Sequence, residues 1–157
     1  RVLIVGAGLT GRELYKQFKG SGFDVYIIEK RADRSMQKEL GDHFIFGDAS
    51  HPLILSRLNL DKTRWVLNTS SEALVSRNVA DQVAKLDPGV KVLALADKEG
   101  DRDFFMSRSG EMDPNVSALI ETRQEIAKCI FHHVAQDESL TKDKVVLSAK
   151  KINNTDE

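Results

Sequence analysis

Val2-Leu3-Ile4-Val5-Gly6-Ala7-Gly8-Leu9-Thr10-Gly11 stands at the head of the sequence, and its reading decides the fold. The four apolar residues, three of them β-branched, have the character of a buried strand. Leu14 and Phe18 follow at helical spacing, so the G-x-G-x-x-G lies at a strand-to-helix turn, the context in which this pattern carries meaning. Each glycine then has its own task. Gly6 makes the tight turn, Gly8 lets the backbone approach a pyrophosphate, and Gly11 lets the helix pack close to the strand. Free N–H groups around Ala7, Leu9 and Thr10, where the helix begins, would receive the phosphate charge.

Further apolar runs at 25–28, Phe44–Phe46, 65–67 and 90–96 read as parallel strands. Between them lie helical spacings: Met36 with Leu40, Ile54 with Leu58, and Val75, Val79, Val83 and Leu86. Strands alternating with helical crossovers predict an α/β fold, a Rossmann-like doubly wound parallel sheet of five or six strands with a C-terminal helix. Gly20-Ser21-Gly22 should end the first helix, Ser50 should cap the third with Pro52 in its first turn, and Pro88-Gly89 should close the fourth. A short helix is expected over 101–109. Asp113-Pro114 is expected to start a final helix whose apolar stripe runs through Val116, Leu119, Ile120, Ile126, Ala127, Ile130, Phe131 and Val134. The stripe suits either a sheet of its own or a partner subunit. We place one domain at 1–135 and a polar linker or tail at 136–157, where Val145-Val146-Leu147 could form a short strand.

Glu29 ends the second strand, roughly 20 positions beyond the glycines, where a carboxylate accepts hydrogen bonds from the adenosine ribose. It would oppose a 2′-phosphate, although Lys30 and Arg31 beside it could tolerate one, so NAD is favoured over NADP. Gly47-Asp48-Ala49-Ser50 follows the third strand at the same sheet edge, and Asp48 can accept from the adenine amino group there.

With the glycine loop, the acidic end of the second strand and Gly-Asp-Ala after the third in this order, 1–134 resembles the regulator-of-K⁺-conductance family, also called RCK or KTN, of the TrkA-N type. The resemblance implies a regulatory lobe for a potassium channel or transporter, in the same chain or a separate one. It implies cytoplasmic placement, with the rest of the protein holding the lobe at the inner face of the membrane. Dimerisation partly through a helix after the sheet, and assembly into a ring, are also implied. Gly6, Gly8, Gly11, Glu29 and Asp48 carry over as nucleotide contacts, with Ala49 in the Gly-Asp-Ala and with Thr69 and Ser70 near the adenine or ribose. NAD(H) is the expected ligand, with AMP, ADP or ATP as alternatives. The chain differs from many relatives at Leu9, where a charged residue is common, and in the lack of an arginine from 92–96. The usual sixth strand would shrink to Glu111-Met112-Asp113.

The remaining composition excludes more than it identifies. With 23 basic and 24 acidic residues in 157, the chain lacks the field that nucleic acid or anionic lipid requires. No apolar run suffices to span a bilayer, and a strand already under way at Val2 suggests a piece cut from a longer chain. The single cysteine, Cys129, fits a reducing compartment. Cys129 with His133 gives too few ligands for structural zinc. Tyr15/Lys19 and Tyr26/Lys30 match the Tyr-x-x-x-Lys of short-chain dehydrogenases, but each pair belongs to the adenosine or pyrophosphate side of the expected site, away from a nicotinamide. A sensor without catalysis is therefore expected, with the cofactor domain of an NAD-dependent dehydrogenase as the alternative and a free-standing nucleotide-binding interaction module as a third reading.

Overall fold

Val2–Val5 forms strand β1, and the two-residue period of a strand sends Leu3 and Val5 to one face of the sheet and Val2 and Ile4 to the other. Every other central strand obeys the same parity, so the computed structural model, which describes residues 1–31, 34–58 and 60–135, has two apolar clusters separated by one sheet. The strands are β2 (Val25–Glu29), β3 (Phe44–Phe46), β4 (Trp65–Asn68), β5 (Lys91–Ala96) and β6 (Ala118–Glu121), all parallel, in the order β3-β2-β1-β4-β5-β6.

Helix α1 (Leu9–Gly20) and helix α2 (Arg34–Leu40) contribute Tyr15 and Leu40 to the cluster holding Ile4 and Ile27. Helix α3 (Pro52–Ser56) and helix α4 (Ala73–Leu86) contribute Leu55, Val79, Ala80 and Val83 to the cluster on the opposite face. The chain leaves β1 toward β2 on one side and returns to β4 on the other, which makes β1/β4 the point where the winding reverses. In open sheets of this kind, ligands bind outside the carboxyl ends of the strands at that point.

Four details differ from the sequence reading. The helix expected to begin at Asp113-Pro114 begins instead at Thr122, as α6 (Thr122–Ala135). Asp113 makes a turn by accepting the N–H of Asn115, Val116 drops into the core, and Ser117 donates its N–H to the Val92 carbonyl, which sets the register for β6. The sixth strand is therefore Ala118–Glu121 rather than Glu111-Met112-Asp113, of which Met112 makes only an isolated antiparallel bridge to Met106. A short run such as Ala118-Leu119-Ile120 suits helix and strand equally by periodicity, and pairing with β5 decides it. Helix α5 (Asp101–Phe104) is correspondingly short. The cap of α3 is His51, whose Nδ1 accepts from Leu53 N–H at 3.4 Å, because Asp48 already engages the Ser50 hydroxyl and amide.

The chain divides into two units, Arg1–Glu121 with the whole sheet and a second beginning at Thr122. In that second unit, α6 exposes Ile126, Ile130, Phe131 and Val134. Residues 136–157, with the Val145-Val146-Leu147 strand expectation, and the His133 side chain lie outside what is described. No described helix is long and apolar enough to cross a membrane.

The packing of α3 gives a paired prediction. Leu55 is fully buried while Leu53, on the same short helix, is 58% exposed. Leu55→Ala should lower the unfolding free energy by about 2–5 kcal/mol, and Leu53→Ala by no more than about 0.5 kcal/mol, as read by chemical denaturation.

Candidate functional site

Register brings the site together. Val5 lies opposite Ile28 on one side and Asn68 on the other, and Glu29 lies opposite Phe46, so β1 to β4 end level with one another. Backbone bonds continue past the strand ends, from Gly6 N–H to Ile28 O, from Gly47 N–H to Glu29 O and from Thr69 N–H to Val5 O. Between these ends lies a cleft of about 440 Å³, within the range of small-ligand sites.

The glycine loop is built by contact distances. Gly6 has φ +101°, which favours glycine, and a side chain there would also meet the Thr69 hydroxyl at 2.8 Å. A Cβ on Gly11 would lie 1.9 Å from the Gly6 carbonyl oxygen, so α1 can approach β1 this closely only without one. A Cβ on Gly8 would meet nothing within 4 Å. Space at Gly8 is thus open toward the cleft, where a phosphate rather than the protein would need it. The Thr69 hydroxyl donates to the Val5 carbonyl at 2.9 Å, with the Gly6 carbonyl at 3.2 Å, and so ties the end of β4 to the loop.

Glu29 is already engaged with the loop. One carboxylate oxygen accepts the Ala7 N–H at 2.9 Å and the other accepts the Arg31 N–H at 2.8 Å. Each oxygen keeps a further lone pair, so the carboxylate can brace the loop and still accept from a ribose hydroxyl. Asp48 is held by Ser50, whose hydroxyl donates at 2.6 Å and whose backbone N–H donates at 2.9 Å to the same oxygen. The hydroxyl bond keeps the Asp48 carboxyl below its usual range against the opposing effect of partial burial, helped by the Ser50 amide and the charges of Lys30 and His51.

Of the residues singled out in the sequence, Gly6, Ala7, Gly8, Glu29, Lys30, Asp48, Ala49, Thr69 and Ser70 line the cleft, whereas Leu9, Thr10 and Gly11 do not. Sequence reasoning passed over Asn68, Ser71 and Glu72. Fully buried Asn68 accepts the Ser70 N–H at 2.9 Å, bending the chain so that Ser71 and Glu72 form the wall beside the glycine loop. Asn before Thr-Ser-Ser at a strand end is a side-chain-to-backbone turn signal that could have found it. The dehydrogenase-like pairs do not assemble in the cleft: Tyr15 accepts from Lys19 Nζ at 3.1 Å on α1, and of the other pair only Lys30 lines it. Among the described residues no group of three or more His, Cys, Asp or Glu could hold a metal ion.

Comparison with known proteins agrees with this architecture. The TrkA-N domain family matches residues 2–112. No curated protein matches the sequence. Among solved structures, the TrkA-N domain of inner membrane protein YbaL from Escherichia coli superimposes with a TM-score of 0.70 at 18% identity, covering 84% of this chain and 94% of that one. The AMP-bound Kef C-terminal domain of Shewanella denitrificans gives 0.66 at 15% identity over 98% of this chain and 93% of that one. The GsuK channel in its NAD-bound form gives 0.61 at 15% identity over 76% of this chain and 21% of that much longer one.

The Ser50 bond sets a pH dependence. Because the Asp48 pKa is lowered in the folded chain, its ionisation favours folding at pH above the ordinary value of 3.8, and that contribution is lost as pH falls through the lower folded value. Ser50→Ala should move the Asp48 pKa up toward 3.8, as read by NMR titration of its carboxyl carbon. An unmoved pKa would mean that the hydroxyl is not its cause.

Proposed function

The chain belongs to the TrkA-N domain family, and from that premise we propose that it is a regulatory domain that binds NAD(H) or another adenine nucleotide and thereby controls a potassium channel or transporter. One observation carries the reading: the glycine loop, Glu29 and Asp48 line a single cleft at the sheet's switch point. In this reading the helix α1 amides hold the phosphate, Glu29 the ribose hydroxyls and Asp48 the adenine amino group. Ala49, Thr69 and Ser70 close the pocket, and Lys30 lies beside the ribose. The domain then comprises 1–135, and the regulated membrane subunit, in this chain's continuation or a separate chain, places it at the cytoplasmic face.

The ligand acts by binding rather than by turnover. A nucleotide can bias gating only through different affinities for two conformations. Structures bound to ADP and to NAD exist for GsuK, and an AMP-bound one for the Kef domain. These are ligands of those proteins, and they make the same adenine class the natural set to test here. Hydride transfer catalysed by this chain would favour the dehydrogenase reading instead.

Calorimetric titration tests the site. Glu29→Ala should weaken NADH binding by about 1.5–3 kcal/mol, roughly ten- to a hundred-fold, through loss of charge-assisted hydrogen bonds. Wild type should prefer NADH to NADPH, and the variant should narrow that gap because Lys30 and Arg31 remain. Equal NADH affinity in both proteins would remove Glu29 from the site.

The exposed apolar residues of α6 support self-association as a dimer or larger ring, since such a face buries itself against a partner. Light scattering should show assemblies that Ile130→Glu converts to folded monomers. A monomeric wild type at high concentration would count against this.

A further inference from the structure

We propose that a second cavity, on the α3 face of the sheet, binds an aliphatic monocarboxylate, with the acyl chain against the sheet and the carboxylate on Arg57 and Arg1. The cavity shares no lining residue with the cleft, so the inference stands apart from the nucleotide reading.

The cavity measures about 300 Å³, at the small end of the range for ligand sites. Its sheet side is Leu3 of β1, Tyr26 of β2 and Ile45 of β3, three neighbouring strands, and the segment that follows α3 supplies Leu58 and Leu60. All five belong to, or pack against, the apolar cluster that holds Leu55. Leu3 and Leu60 are buried, while Tyr26, Ile45 and Leu58 are only partly so. Apolar surface left open in this way gains by covering, and a space this small suits a short hydrocarbon body.

Arg1, Arg57 and Thr63 complete the lining, and each has unused hydrogen-bonding capacity. Thr63 is 4% exposed, yet its hydroxyl has no partner among the described residues. A buried hydroxyl left so is costly, and a ligand oxygen beside it removes that cost. Arg57 is exposed, and its side chain makes no ion pair or hydrogen bond among the described residues. Arg1 holds its guanidinium 4.5 Å from the centre of the Tyr26 ring and donates from Nε to Asp24 at 3.0 Å, which leaves its terminal N–H groups to donate elsewhere. A guanidinium meets a carboxylate through paired N–H donors, a match of shape as well as charge. Asp24 already offsets one of the two cations, so a single negative charge balances the other. A phosphate dianion would bring excess charge toward Asp24.

The test is an NMR titration of the isotope-labelled 157-residue chain with octanoate, kept below the concentration at which it forms micelles. The amide signals of Leu3, Tyr26, Ile45, Leu60 and Thr63 should shift and saturate together. Arg57→Gln should weaken octanoate binding by about tenfold and Thr63→Val by about threefold. Octanol, which keeps the apolar body alone, and acetate, which keeps the carboxylate alone, should each bind at least roughly tenfold more weakly than octanoate. The spectrum of each variant shows whether it is folded, and if Thr63→Val is not, Arg57→Gln decides, since its side chain is exposed. Absence of saturable shifts overturns the inference, as do shifts confined to α6 or to the cleft. Unchanged octanoate affinity in folded Arg57→Gln overturns it as well. Octanol binding as tightly as octanoate would mean that the cations take no part, and tighter binding of octyl phosphate would mean that the ligand class is wrong; either result overturns it.

Discussion

Everything at the carboxyl edge of this sheet depends on how closely α1 comes to β1. The Gly11 backbone sits so near the Gly6 carbonyl that one methyl group would overlap it. That approach aims the first amides of α1 at the space above the strand ends, and it leaves Gly6 turned at a φ that few other residues adopt. A helix displaced even slightly outward would carry its amides away from the level at which Glu29, Asp48 and Thr69 end their strands. The site is thus a consequence of backbone packing first and of side-chain chemistry second.

Side chains then hold that backbone in place from two directions. Thr69 reaches across from β4 to the carbonyls of Val5 and Gly6, and Glu29 reaches across from β2 to the Ala7 amide. Arg12 adds a third tie, to the Ala7 carbonyl. The loop therefore has both of its neighbouring strands bonded to it before any phosphate arrives, which lowers the ordering cost of binding. The same arrangement gives Glu29 two duties. A substitution there removes a brace from the loop as well as an acceptor from the cleft, so loss of affinity alone would not separate the two. The NADH-to-NADPH comparison does, because only the ribose contact distinguishes those ligands.

The first half of the fold was legible because its signals are local and agree with one another. A β-branched run, three glycines and a helical repeat all lie within the first 18 residues, and each implies the same turn. Glu29 and Asp48 were legible as positions because parallel strands of similar length end at a common edge. The region after β5 was not. Asp113-Pro114 is as good a helix start as it is a turn, and 118–121 is too short for its period to choose between strand and helix. What decides there is the hydrogen bond from Ser117 to Val92 and the burial of Val116, contacts between residues far apart in sequence. Of the stretch from Asn68 to Glu72, Thr69 and Ser70 were legible, while Asn68, Ser71 and Glu72 were missed for a related reason: their role comes from a buried side chain bending its own backbone, and only the neighbouring loop gives that bend a consequence.

The distribution of charge bears on what kind of signal such a site can read. The cleft holds three carboxylates, Glu29, Asp48 and Glu72, and two cations, Lys30 and Arg31. Glu29 and Asp48 have backbone or hydroxyl donors fixed on them, and in the proposed reading they recognise hydroxyl and amino groups with the lone pairs that remain. Recognition of that sort concerns the adenosine half, which every adenine nucleotide shares. In the proposed reading, discrimination between such ligands then falls to whatever they carry beyond the adenosine.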